Sequence, residues 1–220
     1  MKKTSINFIF DLDGTLIDSA QQIGSCLNEA RREFGFMPLS ALDINRMIGI
    51  PIKYFLSDLQ LSTDLEEVLI KKFRLLLSQA IEIENNLYPG VTELLAELKK
   101  RGHTISIATS KPTLLAKKVV SHSDLQNFVD FTQGTDDFPA KPEPDVIIKV
   151  INSMGVPKSL MVGDRIEDVK AAAAAGIPSV GVAHSHHSLD MLLNSGAELA
   201  YDRIGHIYSS LDLVEKLVKE

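Results

Sequence analysis

Five short apolar runs, at residues 6–10, 104–108, 129–132, 160–163 and 179–182, alternate with helix-patterned stretches, most clearly in the later part of the chain. No other feature narrows the possible folds as much. Strands covered on both faces read as near-continuous apolar runs, and helical crossovers are the ordinary way to join parallel neighbours. The pattern predicts an α/β chain with a Rossmann-like parallel sheet. In "PGVTELLAELKKRG", Val91, Leu94, Leu95 and Leu98 share one face and Gly102 closes the helix. "PEPDVIIKVINSMG" stops at Gly155, and the alanines of "RIEDVKAAAAAG" allow close packing before Gly176.

Residues 16–87 read differently. They hold no convincing strand and at least two amphipathic helices. One spans 19–34, with Asp18 or Ser19 as N-cap. The other spans 63–84, with Leu65, Val68, Leu69, Phe73, Leu76 and Ala80 on one stripe. The expected organisation is a core of residues 1–15 and 88–220 with an inserted all-helical cap at 16–87. Such a cap leaves from the carboxyl end of the first strand, where open α/β sheets bind ligands. No internal repeat or low-complexity tract interrupts this plan.

Composition limits the partners. A net charge of −6 over 220 residues disfavours nucleic acid and anionic membranes. The single cysteine, Cys26, rules out an internal disulfide framework, suits a reducing compartment, and reads as a buried thiol. No apolar run approaches the roughly 20 residues of a membrane span. The lysines at positions 2 and 3 precede an apolar run that contains Asn7 and ends in acids, unlike a signal peptide. A cytoplasmic protein is expected.

The first run ends in Asp11-Leu12-Asp13-Gly14. Side chains two apart on extended backbone point the same way, so both carboxylates can face one site. One carboxylate can attack phosphorus while another shuttles protons. Alone, the pair reads better as a solvated acidic loop. Three further stretches change the balance. "SIATSKP" ends a strand with Thr109 and Ser110, hydroxyl donors suited to phosphate oxygens. "PAKPEP" places Lys141 beside a proline, and "LMVGDRIEDVKAAAAAG" ends a strand with Asp164, followed by Asp168. Each has its own plain reading as cap, solvated cation or helix-terminal acid. Together they suffice for phosphoryl transfer. Asp11 and Asp164 can hold Mg²⁺, Lys141 can neutralise charge, and Thr109 with nearby N–H groups can fix phosphate oxygens.

"DLDGTLIDS", "TSKP", "KPEP" and "GDRIEDVKAA" resemble the four motifs of the haloacid dehalogenase superfamily, and "YPGV" its usual cap exit. The likeness is to the phosphoglycolate-phosphatase-like branch with a helical cap. It implies Asp11 as nucleophile and Asp13 as general acid/base. It also implies that the Asp13 carbonyl joins Asp11 and Asp164 around Mg²⁺, with Asp168 just outside those ligands. The second Asp argues against a dehalogenase.

Arg165 departs from the small polar residue more usual at its position. It reads as a surface ion pair with Glu167 or Asp168, or as a contact to an anionic substrate group. By the same resemblance, "RMIGIPIKY" stands where such caps carry specificity contacts, which makes Arg46 and Lys53 further candidate substrate contacts; an ordinary interhelical loop is the equal alternative. His184, His186 and His187 cluster without regular ligand spacing, which reads as a solvated loop. The expected activity is a Mg²⁺-dependent phosphatase of a small phosphorylated metabolite, with 2-phosphoglycolate the first candidate. A β-phosphoglucomutase-like phosphomutase and a non-hydrolytic phospho-acceptor module are the alternatives.

Overall fold

The computed structural model describes residues 5–56, 61–184 and 187–218. Its strands are β1 (Asn7–Phe10), β2 (Thr104–Thr109), β3 (Phe131–Gly134), β4 (Ser159–Gly163), β5 (Ser179–Val182) and β6 (Leu199–Tyr201). They form one parallel sheet in the order β3-β2-β1-β4-β5-β6. The chain therefore steps outward from β1 in one direction, then returns to its other side. That reversal falls between β1 and β4, where the register pairs Phe10 with Val162. A crevice opens beyond the carboxyl ends of the strands at such a switch point.

Alternation along the central strands explains why they read as unbroken apolar runs. Phe8 and Phe10 enter one apolar cluster together with Ile105, Ile107, Leu160 and Val162. Ile9, Ala108 and Met161 point into the other, against Val146, Ile147, Ala171 and Ala172. The second set comes from α7 (Asp145–Met154) and α8 (Ile166–Ala174), whose alanines lie against the strands. On the first face, α5 (Val91–Lys100) buries Val91, Leu94, Leu95 and Leu98 as its spacing predicts. The remaining helices on this part of the chain are α6 (Thr113–Ser121), α9 (Leu189–Asn194), α10 (Gly205–Ser209) and α11 (Leu211–Lys216).

Among the described residues, four helices lie between β1 and α5: α1 (Ala20–Glu33), α2 (Ala41–Met47), α3 (Lys53–Leu56) and α4 (Thr63–Ile81). The two peptides that lead into and out of this insertion pair with each other. The Tyr88 N–H donates to the Leu16 carbonyl at 3.0 Å, and the Asp18 N–H to the Asn86 carbonyl at 2.9 Å. Cys26 is buried on α1. No described helix is long and apolar enough to cross a membrane.

Several expectations shift. β3 starts two residues late, because the Val129 N–H closes a tight turn on the Leu125 carbonyl and Phe131 is the first residue in register with β2. α4 buries an i, i+4 ladder of Leu69, Phe73, Leu77 and Ile81, while Val68 is exposed. Its packing against α1 is thus narrower than the stripe suggested. Ser19 occupies the N-cap position of α1, but its hydroxyl makes no capping bond. β6 is an additional edge strand of three half-buried residues, too short for a periodic signal.

Candidate functional site

Asp11 extends β1 by one rung, its N–H donating to the Val162 carbonyl at 2.9 Å, so its side chain emerges at the switch point. Asp164 follows β4 directly on the other side of that point. Ligand atoms of Asp11, Asp164 and Asp168 lie within 4.8 Å of one another, and all three residues are buried. Gly14 makes this convergence possible. It adopts φ +89°, and a Cβ there would stand 2.7 Å from an Asp164 carboxylate oxygen. Next to it, the Thr15 hydroxyl donates to Asp164 Oδ1 at 2.6 Å.

Lys141 reaches the same place from the loop before α7. Its ammonium donates to Asp11 Oδ1 at 2.7 Å, Asp168 Oδ1 at 2.5 Å and the Ala108 carbonyl at 3.0 Å. The other Asp168 oxygen accepts the Arg165 N–H at 3.0 Å. Asp168 therefore has a donor on each oxygen, which fits a positioning carboxylate better than a metal ligand. Asp13 lies to the other side, its Oδ1 3.0 Å from Lys111 Nζ. Thr109, at the end of β2, accepts the Lys111 N–H at 3.3 Å. The buried Ser110 hydroxyl has no partner among the described residues. An unsatisfied buried hydroxyl is costly, so it marks a place for a ligand oxygen.

Four carboxylates thus face two ammonium groups in a site almost closed to water. Burial and surplus negative charge together account for the shifts of Asp11 and Lys141. Burial pushes the Asp11 carboxyl up to about 6, against the pull of Lys141, and Asp168 adds to the rise. Burial alone would lower Lys141, but Asp11 and Asp168 outweigh it and hold the ammonium above the usual lysine range. The same imbalance fits a divalent cation, which prefers oxygen ligands.

A consequence is measurable with EDTA present. Folded Asp11 holds its proton to about pH 6, whereas the unfolded carboxyl loses it near 3.8. The native state then binds more protons in between, so the Asp11 contribution weakens stability as pH rises through 6. Tm of the wild type, taken relative to Asp11→Asn, is expected to fall between pH 5 and 7. A difference that stays flat would contradict the upward shift.

A cavity of about 230 Å³ adjoins the site, lined by Asp13, Ser110 and Lys111 together with Lys53, Phe73 and Arg74. The structure thus brings Lys53 to the cavity beside Asp13. Arg46, exposed on the last turn of α2, lies outside its lining. Arg165 is not on the surface. It is buried, donating from Nε to Glu167 at 3.1 Å and from Nη1 to the Ile48 carbonyl at 2.8 Å. The histidine loop also departs from a solvated one. His184 stacks on Tyr88 with ring centroids 3.9 Å apart, and His187 Nδ1 lies 3.4 Å from the Asp164 carbonyl. His186 lies outside the described residues. Sequence spacing does not single out Lys111 or Thr15, although they stand inside "TSKP" and "DGT".

Comparison with known proteins agrees with this geometry. A family model for haloacid dehalogenase-like hydrolases matches residues 8–182. A phosphoglycolate phosphatase of Agrobacterium fabrum is 31% identical over 223 aligned positions, covering 96% of this chain and 94% of that protein. The crystal structure of a predicted phosphatase from Clostridium acetobutylicum superposes with a TM-score of 0.84 at 28% identity, covering 96% of this chain and all of that one. A candidate β-phosphoglucomutase from Thermotoga maritima reaches a TM-score of 0.73 at 25% identity, covering 94% of this chain and 99% of that one.

Proposed function

This chain belongs to the haloacid dehalogenase-like hydrolase family, and on that premise we propose that it is a Mg²⁺-dependent phosphatase of a small phosphorylated metabolite, with 2-phosphoglycolate the first substrate to try. The buried Asp11–Lys141–Asp168 array at the switch point carries this reading. An Asp11 carboxylate oxygen attacks phosphorus, and its bond forms as the bond to the leaving alcohol breaks. Asp13 gives that oxygen a proton, then takes one from the water that releases phosphate from Asp11. The unpartnered Ser110 hydroxyl, with Thr109 and Lys141, holds the transferring oxygens. Asp11, Asp164 and the Asp13 carbonyl are the metal's protein ligands, and Asp168 sets Lys141 in place. Bound Mg²⁺ adds positive charge where the phosphate's negative charge gathers.

Residues 16–87 act as the cap and 1–15 with 88–220 as the core. The paired peptides at Leu16–Tyr88 and Asp18–Asn86 support that division. The cap closes over the leaving group, with Lys53 the first cation to test against an anionic substrate and Arg46 the comparison. A phosphomutase is the second reading, favoured by cations at the cavity and the likeness to a candidate β-phosphoglucomutase.

The deciding assay is phosphate release from 2-phosphoglycolate, sugar monophosphates and nucleoside monophosphates, with and without chelator. EDTA is expected to silence release, Mg²⁺ to restore it, and Asp164→Ala to raise the Mg²⁺ requirement. Full activity in EDTA defeats the metal assignment. A sugar or nucleoside monophosphate preferred by about tenfold, roughly 1.4 kcal/mol, defeats the phosphoglycolate choice. Isomerised sugar phosphate without phosphate release favours the mutase.

A further inference from the structure

The guanidinium of Arg165 joins two segments that the sequence keeps 117 positions apart. Arg165 follows Asp164 directly and its backbone N–H is held by Asp168, so the base of the side chain is anchored to the aspartate cluster. Its far end donates to the Ile48 carbonyl at 2.8 Å, just past the last turn of α2. Carbonyls at helix ends lack partners within the helix, and a cation is well suited to them. Glu167 meets the remaining charge at 3.1 Å. Burial pushes the Glu167 carboxyl up, but Arg165 outweighs this and holds it below the usual glutamate range.

The next residue, Gly49, is shaped for this contact. It adopts φ +82°, and a Cβ on it would lie 2.6 Å from Arg165 Cδ. Gly49 opens the segment that runs through Ile50, Pro51 and Ile52 to Lys53, all of which line the cavity beside Asp13. A surface ion pair would need neither the burial nor the missing side chain opposite.

We infer that Arg165 is a positioning residue that ties segment 48–53 to the aspartate loop, and so sets how closely the cavity wall approaches a leaving group at Asp13. The contact fixes recognition of the leaving group rather than the reacting phosphate. Its kinetic consequences rest on the phosphatase reading above, whereas its structural ones do not.

Two measurements test it. In hydrogen exchange, Arg165→Met is expected to accelerate amides of residues 44–53 while those of β1 and β4 keep their protection. Kinetically, the aryl leaving group of 4-nitrophenyl phosphate is large enough to meet the cavity wall, whereas the one-carbon leaving group of methyl phosphate is too short to meet it. Arg165→Met is expected to raise KM for the first about tenfold more than for the second, the scale of one lost hydrogen bond to a charged group. Gly49→Ala, acting from the opposite side, is expected to produce the same selective loss. The double variant then loses no more than either single one, because both remove one contact. Arg165→Lys, which keeps the charge but not the fork, recovers part of the discrimination.

Unchanged exchange at 44–53 overturns the inference whatever the kinetics. So do equal losses on both substrates, or additive effects of the two substitutions, either of which would mark a general loss of stability. A wild type that releases phosphate from neither compound defeats the phosphatase reading instead, and the exchange result alone then decides the tie.

Discussion

Asp11→Asn is expected to slow phosphate release by about 10³-fold or more, roughly 4 kcal/mol in the barrier, on the scale seen when a nucleophile is removed. The amide keeps the shape of the carboxylate and its place beside Lys141, whose ammonium retains Asp168 at 2.5 Å. What disappears is the charge that the proposed mechanism directs at phosphorus. A second result separates this from misfolding. Ionised Asp11 is disfavoured by burial even with Lys141 adjacent, so the neutral amide should raise Tm in EDTA at pH 7. An inactive enzyme that is more stable than the wild type is the signature of a charge kept for chemistry at the expense of the fold. Substantial residual turnover with alkyl phosphates removes Asp11 from the nucleophile's role.

Asp13→Asn should fail for a different reason. Proton transfer is lost, whereas the backbone carbonyl assigned to the metal is unaltered. The expected drop with an alkyl phosphate is about 10²–10⁴-fold. With an aryl phosphate it should be much smaller in the first step, because a phenolate leaves without help. The structure adds a complication that the sequence did not suggest. Asp13 is the ion-pair partner of Lys111 at 3.0 Å, with both side chains nearly enclosed, so the amide leaves a buried ammonium poorly matched. Lys111→Met in the same background distinguishes the two effects: it relieves the mismatch and leaves the proton-transfer defect. Equal turnover of wild type and Asp13→Asn on an alkyl phosphate rules out general acid catalysis by this residue.

How much of this was legible in the chain depended on where each residue stands. Asp11 and Asp164 follow uninterrupted apolar strands, so the strand ends that the sequence marks are the ends that the sheet brings together. α5 was readable because its four buried positions, Val91, Leu94, Leu95 and Leu98, answer to one face. α4 was readable as a helix but not in its facing, since Val68 belongs to the apolar stripe and yet is exposed. β6 escaped because three half-buried residues carry no period. For Arg165, local reasoning offers Glu167, Asp168 or an anionic substrate group; the structure shows the Glu167 pair but buries it, and adds a backbone carbonyl next to Gly49. Contacts to backbone carry no residue-type signature, and long-range ones carry no spacing. His184 was misread for the same reason, its stack on Tyr88 joining two distant loops.

The hydrogen bond between the Tyr88 N–H and the Leu16 carbonyl leaves the two ends of the helical stretch 16–88 side by side. Whatever chain is spliced between them, β1 and α5 need not move to accommodate it, because closing a gap already closed costs little entropy. The helices between these points are in that sense a cassette. Their sequence can drift, lengthen or be exchanged under selection for a new leaving group, while the strand ends that break the phosphate ester stay in register. A lineage built this way can change its diet without relearning its chemistry.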